Sequence, residues 1–132
     1  MEVLIVCETN QRFCIGIADD SEDEKAEVVL CEINNSESQK FRLEGTLIKN
    51  VKSGLVIDIS GGEKEGSQII QYKENGSDNQ KWYWHKDCTI RSENGYCLEV
   101  QDAKFEANTK IVSGEAKEAD NQKWRIVAAK KE

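Results

Sequence analysis

The chain has 132 residues, of which 38% are hydrophobic and 33% charged, and a formal net charge of −7. That length fits one domain around one compact core. The acidic balance disfavours nucleic acid as a partner, since a polyanion is repelled unless a basic patch offsets the charge, and the one run of paired bases is the tail Lys130-Lys131. No apolar run approaches the length of a membrane span, so membrane insertion is not expected. The opening Met1-Glu2-Val3-Leu4-Ile5-Val6 is too short for a signal segment and starts with an acid. A cytoplasmic or non-classically secreted setting is therefore favoured.

The first third reads as strands at Val3–Cys7, Phe13–Ile17, Val28–Cys31 and Phe41–Leu43, with a solvated acidic loop over Asp19–Glu24. The second third repeats the pattern at Thr46–Ile48, Leu55–Ile59, Gln68–Tyr72 and Trp82–Trp84, and the last third at Thr89–Arg91, Tyr96–Val100, Thr109–Val112 and Trp124–Val127. Each assignment rests on a short β-branched or apolar run bounded by turn residues. Asn94-Gly95 is a strong hairpin signal, and Gly61-Gly62 marks a place for positive φ. The sequence contains no proline, so Gly, Asn and Ser make the turns.

One phrase recurs. Asn79-Gln80-Lys81-Trp82 returns as Asn121-Gln122-Lys123-Trp124, with a weaker copy at Ser38-Gln39-Lys40-Phe41. A period of about 42 residues kept three times marks a repeat architecture. Four strands per repeat give twelve, too few for the blades of a propeller but enough to close a small barrel. Phe41, Trp82 and Trp124 are the expected members of one core layer. The repeats span approximately 1–44, 45–87 and 88–132 within a single unit, 1–132.

This threefold Q-x-W pattern resembles the ricin B-type lectin family over essentially the whole chain. The resemblance implies an all-β fold, the β-trefoil, and a non-catalytic carbohydrate-binding function, with galactose or N-acetylgalactosamine as the commonest family ligand. It also carries the site residues. Repeat two holds Val56-Ile57-Asp58-Ile59, Gly61-Gly62, Ile69-Ile70-Gln71-Tyr72 and Asn79-Gln80. By resemblance Asp58 accepts two neighbouring sugar hydroxyls, Tyr72 stacks on the apolar face of the ring, Asn79 reads a further hydroxyl, Gln80 braces Asp58 from behind, and the backbone at Gly61 approaches the sugar.

The residue types suit that work. A carboxylate accepts strong, charge-assisted hydrogen bonds, an amide both donates and accepts, and an aromatic ring covers a C–H face. Taken singly, the same residues also fit duller roles: Asp58 as an exposed strand acid, Tyr72 as a half-buried aromatic, Asn79 as a turn former.

The other repeats depart from the pattern. Repeat three has Glu99 at the acid position and Gly114 at the aromatic position, so a possible second site of Glu99, Asn121 and Gln122 lacks a platform unless Phe105 swings over it. Repeat one has Gly16, Cys31 and Ser38 at the three positions, and no sugar is expected there. The pair Cys14 and Cys31 resembles an intra-repeat disulfide of some family members.

The five cysteines, Cys7, Cys14, Cys31, Cys88 and Cys97, are odd in number and show no C-x-x-C spacing. They sit mostly beside apolar residues and read as free, buried thiols. With His85 as the one histidine, neither a metal centre nor a cofactor is expected, and no catalytic constellation is apparent around it. The partners expected are glycans or glycoconjugates, with a homodimer as the way to make binding multivalent. The alternative is a protein-interaction module, such as a protease inhibitor or scaffold, acting through the loops Asp19–Lys25 or Ala103–Asn108.

Overall fold

The computed structural model of the chain describes residues 1–62 and 64–130; Lys131 of the basic tail lies outside the described residues. Twelve strands run through them: β1 (Val3–Cys7), β2 (Phe13–Ile17), β3 (Val28–Glu32), β4 (Phe41–Glu44), β5 (Leu47–Asn50), β6 (Val56–Ile59), β7 (Ile69–Tyr72), β8 (Trp82–Trp84), β9 (Ile90–Ser92), β10 (Cys97–Val100), β11 (Ile111–Gly114) and β12 (Trp124–Ala128). Every expected strand is present, with ends displaced by at most two residues. Single 3₁₀ turns at Glu37–Gln39, Asp78–Gln80 and Asp120–Gln122 precede β4, β8 and β12. These turns carry no apolar period, which hides them from a strand pattern.

Two layers follow from the pairing. The strands β1, β4, β5, β8, β9 and β12 wrap into a barrel. β1 pairs with β12 and β4, β4 with β5, and β8 with β9. The two remaining seams are thin: the Trp82 amide donates to Thr46 O at 2.8 Å and the Trp124 amide to Cys88 O at 2.7 Å. The hairpins β2–β3, β6–β7 and β10–β11 cap one end. Bridges Glu27↔Ile70, Val29↔Lys110 and Gln68↔Val112 tie the hairpins to one another around a pseudo-threefold axis. The architecture is a β-trefoil.

Near that axis the Gln68 side-chain nitrogen lies 3.3, 2.7 and 3.1 Å from the carbonyls of Val28, Ile69 and Ile111. These are equivalent positions of the three repeats. One amide thus gathers three carbonyls that would otherwise face each other without donors.

The recurring phrase is structural before it is functional. Phe41, Trp82 and Trp124 lie in the main core, and none is more than 5% exposed. The Trp82 indole N–H donates to Ile57 O at 3.0 Å and that of Trp124 to Leu98 O at 2.9 Å, so each ring is buried with its polar atom satisfied. Each glutamine fastens the loop between the third and fourth strands of its repeat. Gln39 donates to Glu32 O and accepts from the Asn34 amide; Gln80 does the same with Lys73 O and Asn75, and Gln122 with Glu115 O and Lys117.

Candidate functional site

The cap hairpin of repeat two carries the acid and the ring. Asp58 faces Ile70 across the hairpin and Val56 faces Tyr72. Because strand side chains alternate in direction, Asp58 and Tyr72 are diagonal neighbours on one face. The turn Asp78–Gln80 then brings two amides to the same carboxylate. Asn79 Nδ2 donates to Asp58 Oδ1 and Gln80 Nε2 to Asp58 Oδ2, each at 2.8 Å. Gln80 is fully buried and Asp58 only 4% exposed. Burial pushes the Asp58 carboxyl above the ordinary carboxylate value, and the Gln80 hydrogen bond opposes that rise.

Asp58, Tyr72, Asn79 and Gly61 line a single groove of about 550 Å³. Gly61 and Gly62 have φ of 74° and 93°, the left-handed region that glycine enters without a Cβ penalty. A Cβ at either position would touch nothing within 4 Å, so the requirement is conformational. Gln80, Asp58 and Asn79 are held as one rigid set, which fixes where the carboxylate oxygens sit before any ligand arrives. Each oxygen accepts one amide hydrogen and keeps further acceptor capacity.

Asn79 is more committed than its residue type suggests. Its amide nitrogen also donates to Ile59 O at 2.8 Å, which uses both hydrogens, and its Oδ1 pairs with the Ser77 hydroxyl. As arranged it offers an acceptor, and donation to a ligand would require releasing one of these bonds.

Further groove residues come from places the repeat pattern does not mark. Lys25 and Glu27 arrive from the β2–β3 loop of repeat one, and Gln68 and Asn75 from either end of β7. Only the inter-hairpin contacts of the cap, such as Glu27↔Ile70, bring the first pair there, and no spacing within one repeat encodes them. Glu27 is paired with Lys110 at 3.5 Å. Lys25 is exposed.

The third repeat keeps the frame and alters the filling. Asn121 Nδ2 donates to Val100 O at 2.8 Å, as Asn79 does to Ile59 O, and Gln122 Nε2 donates to Glu99 Oε1 at 2.7 Å. The longer acid folds back over Gly114: a Cβ there would lie 2.7 Å from Glu99 Cδ and collide with its carboxylate oxygen. Lys117 completes the packing with an ion pair to Glu99 at 3.3 Å. Phe105 packs against the main core and does not swing out as a substitute platform.

Repeat one inverts the same exchange. Gly16 stands where the acid would be, and a Cβ on it would lie 2.7 Å from Cys31 Sγ. Ser38 instead donates its hydroxyl to the loop acid Asp20. Cys14 and Cys31 face each other in register, and both are free, as are Cys7, Cys88 and Cys97.

A trefoil in which a cap hairpin presents an acid and a ring, and the turn after it an amide, to a shared groove has the form of a lectin domain. Sequence comparison agrees. The profile of the ricin-type beta-trefoil lectin domain matches residues 44–132, and a second, the ricin-type beta-trefoil lectin domain-like profile, matches residues 3–72. The chain belongs to the ricin-type β-trefoil lectin family.

A seed lectin from Trichosanthes anguina is 30% identical over 76 residues, which is 57% of this chain and 14% of the length of that protein. Among solved structures, the designed threefold-symmetric protein ThreeFoil superposes with a TM-score of 0.86 at 22% identity, covering 96% of this chain and 98% of its own. The C-half of the earthworm R-type lectin, in complex with GalNAc, superposes with a TM-score of 0.82 at 17% identity, covering 95% and 96%. At these identities the two structures speak for the fold alone.

Proposed function

We propose that this protein is a non-catalytic lectin that binds galactose or N-acetylgalactosamine through the second repeat. The observation that carries the reading is the convergence of Asp58, Tyr72 and Asn79 on one groove, with Asp58 held at both oxygens by Asn79 and Gln80. Asp58 accepts two vicinal hydroxyls, Tyr72 covers the apolar face of the pyranose, and the groove floor at Gly61 admits the ring closely. The choice of sugar rests on the family resemblance, and the earthworm lectin half of the same fold is solved in complex with GalNAc.

One shallow, open site corresponds to a Kd from millimolar to tens of micromolar, about −4 to −6 kcal/mol. Glu99 fills the corresponding space of repeat three, which leaves one site per chain on this reading. Dimerisation would then supply the second site that crosslinking requires.

A glycan array probed with the wild type and with Asp58→Ala tests the proposal. Terminal galactose or N-acetylgalactosamine structures are expected to be bound by the wild type and lost in the variant. Undiminished binding by Asp58→Ala, or binding confined to other sugars, would refute it.

A further inference from the structure

The end of the barrel opposite the cap is open. A cavity of about 580 Å³ sits there, within the range of sites that hold small molecules, which favour the mouths of β-barrels. Its floor is made of core residues, Ile48, Trp82, Ile90 and Trp124, none more than 5% exposed. Its lip is made of Leu43 and Trp84, which are 48% and 50% exposed. The thin seams β5–β8 and β9–β12 run beside it: Thr46, Trp82 and Trp124, three of the four residues that make their bonds, line the cavity.

We propose that this mouth is a second binding site, separate from the cap groove, for a compact, uncharged, largely apolar molecule. The polarity of the lining selects that class. Both floor indoles have already given their N–H groups to Ile57 O and Leu98 O, so the floor offers no unmet donor. The charged groups at the rim, Glu8 and Arg125, are paired with each other at 3.3 Å, so no free charge awaits a counter-ion. An anionic ligand would have to compete with Glu8 for Arg125.

What remains suited to the space is a flat apolar body lying against Trp84 and Leu43, which now leave apolar surface in water.

The test is a titration of the intact protein with N-phenyl-1-naphthylamine, a neutral probe that brightens in apolar surroundings, alongside backbone and methyl NMR. Saturable brightening is expected at one probe per chain, with shifts centred on Leu43, Leu47, Trp84 and Ile126. Trp84→Ala and Leu43→Glu, both at exposed positions, are each expected to weaken the probe at least about tenfold and to leave galactose binding unchanged. Asp58→Ala is expected to leave the probe bound, so failure here is distinguishable from failure of the lectin reading. Three results with the probes would overturn the proposal: no saturable brightening, brightening indifferent to both lip variants, or an equally strong response from the anionic 1-anilinonaphthalene-8-sulfonate. A concentration-dependent dimer, seen by sedimentation and abolished by Leu43→Glu, would overturn it in favour of a second copy.

Discussion

At Asp58 two effects oppose each other. Burial disfavours the charged carboxylate, while the Gln80 amide favours it, and burial prevails, so the carboxyl titrates above the ordinary value of 3.8. The sign of the consequence is fixed. In the window between 3.8 and the raised folded value, the native state holds a proton that the unfolded state has lost, so stability falls as pH rises through that window and the cost is complete above it. On the proposed reading ligand binding runs the other way, because the ionised form is the stronger acceptor of two hydroxyls. Galactoside affinity is therefore expected to decline on acidification while the pH is still above 3.8, as calorimetric titration across a pH series would show; a profile flat down to 3.8 would contradict the assignment.

Cysteine chemistry gives an independent check at the same scale. Burial is the main cause that raises Cys14 to about 12 and Cys31 to about 11, so both thiols stay protonated and weakly nucleophilic at neutral pH. Iodoacetamide at pH 7.5 is expected to label these two slowly in the native protein and promptly after unfolding, as read by peptide mass spectrometry. Rapid native labelling of either would show that the hairpin β2–β3 opens.

Among the elements, the cap hairpins show a trade in size between two diagonal positions. Repeat two pairs Asp58 with Tyr72, repeat one pairs Gly16 with Cys31, and repeat three pairs Glu99 with Gly114. Where one partner enlarges into the shared space, the other is glycine. This predicts that Glu99→Asp combined with Gly114→Tyr rebuilds a sugar-competent third repeat, whereas Gly114→Tyr alone clashes and destabilises the hairpin. Thermal unfolding and galactoside titration of both variants would check it, and a single variant as stable as the wild type would refute the steric account.

The Q-x-W glutamines belong to this scale too. Removing the Gln122 amide leaves Glu115 O and the Lys117 amide without their partner. Gln122→Ala is expected to cost about 1–3 kcal/mol, measured by chemical denaturation. At the buried ring beside it, Trp124→Ala is expected to cost about 3–5 kcal/mol.

Much of this level was legible in the sequence, since β-branched runs and the repeated phrase place every strand within two residues. The 3₁₀ turns were not, because they are defined by backbone bonds such as Gln80 N–H to Ser77 O and not by any apolar period. Nor did the sequence show that Asn79 spends both amide hydrogens internally, a fact that depends on where Ile59 O falls.

At the scale of the molecule, the pseudo-threefold frame follows from three copies of one unit that cannot bury its own apolar face. The copies share Phe41, Trp82 and Trp124 in one core, and the Gln68 amide fills the converging carbonyls near the axis. Symmetry of frame coexists with asymmetry of surface: the groove-forming acid and ring occur together only in repeat two. The period, the fold and the three residues that meet in the candidate groove, Asp58, Tyr72 and Asn79, can be read from the chain, because each lies within one repeat. Lys25 and Glu27 cannot, because they cross from repeat one into the groove of repeat two through cap contacts between hairpins.

The measurement that bears most directly on this account is NMR mapping of methyl β-galactoside onto the wild-type protein. The expected result is a single set of saturable shifts centred on Asp58, Gly61, Tyr72 and Asn79, with Glu99, Asn121 and Gln122 unmoved. Shifts centred on repeat one or repeat three, or none at millimolar ligand, would contradict it.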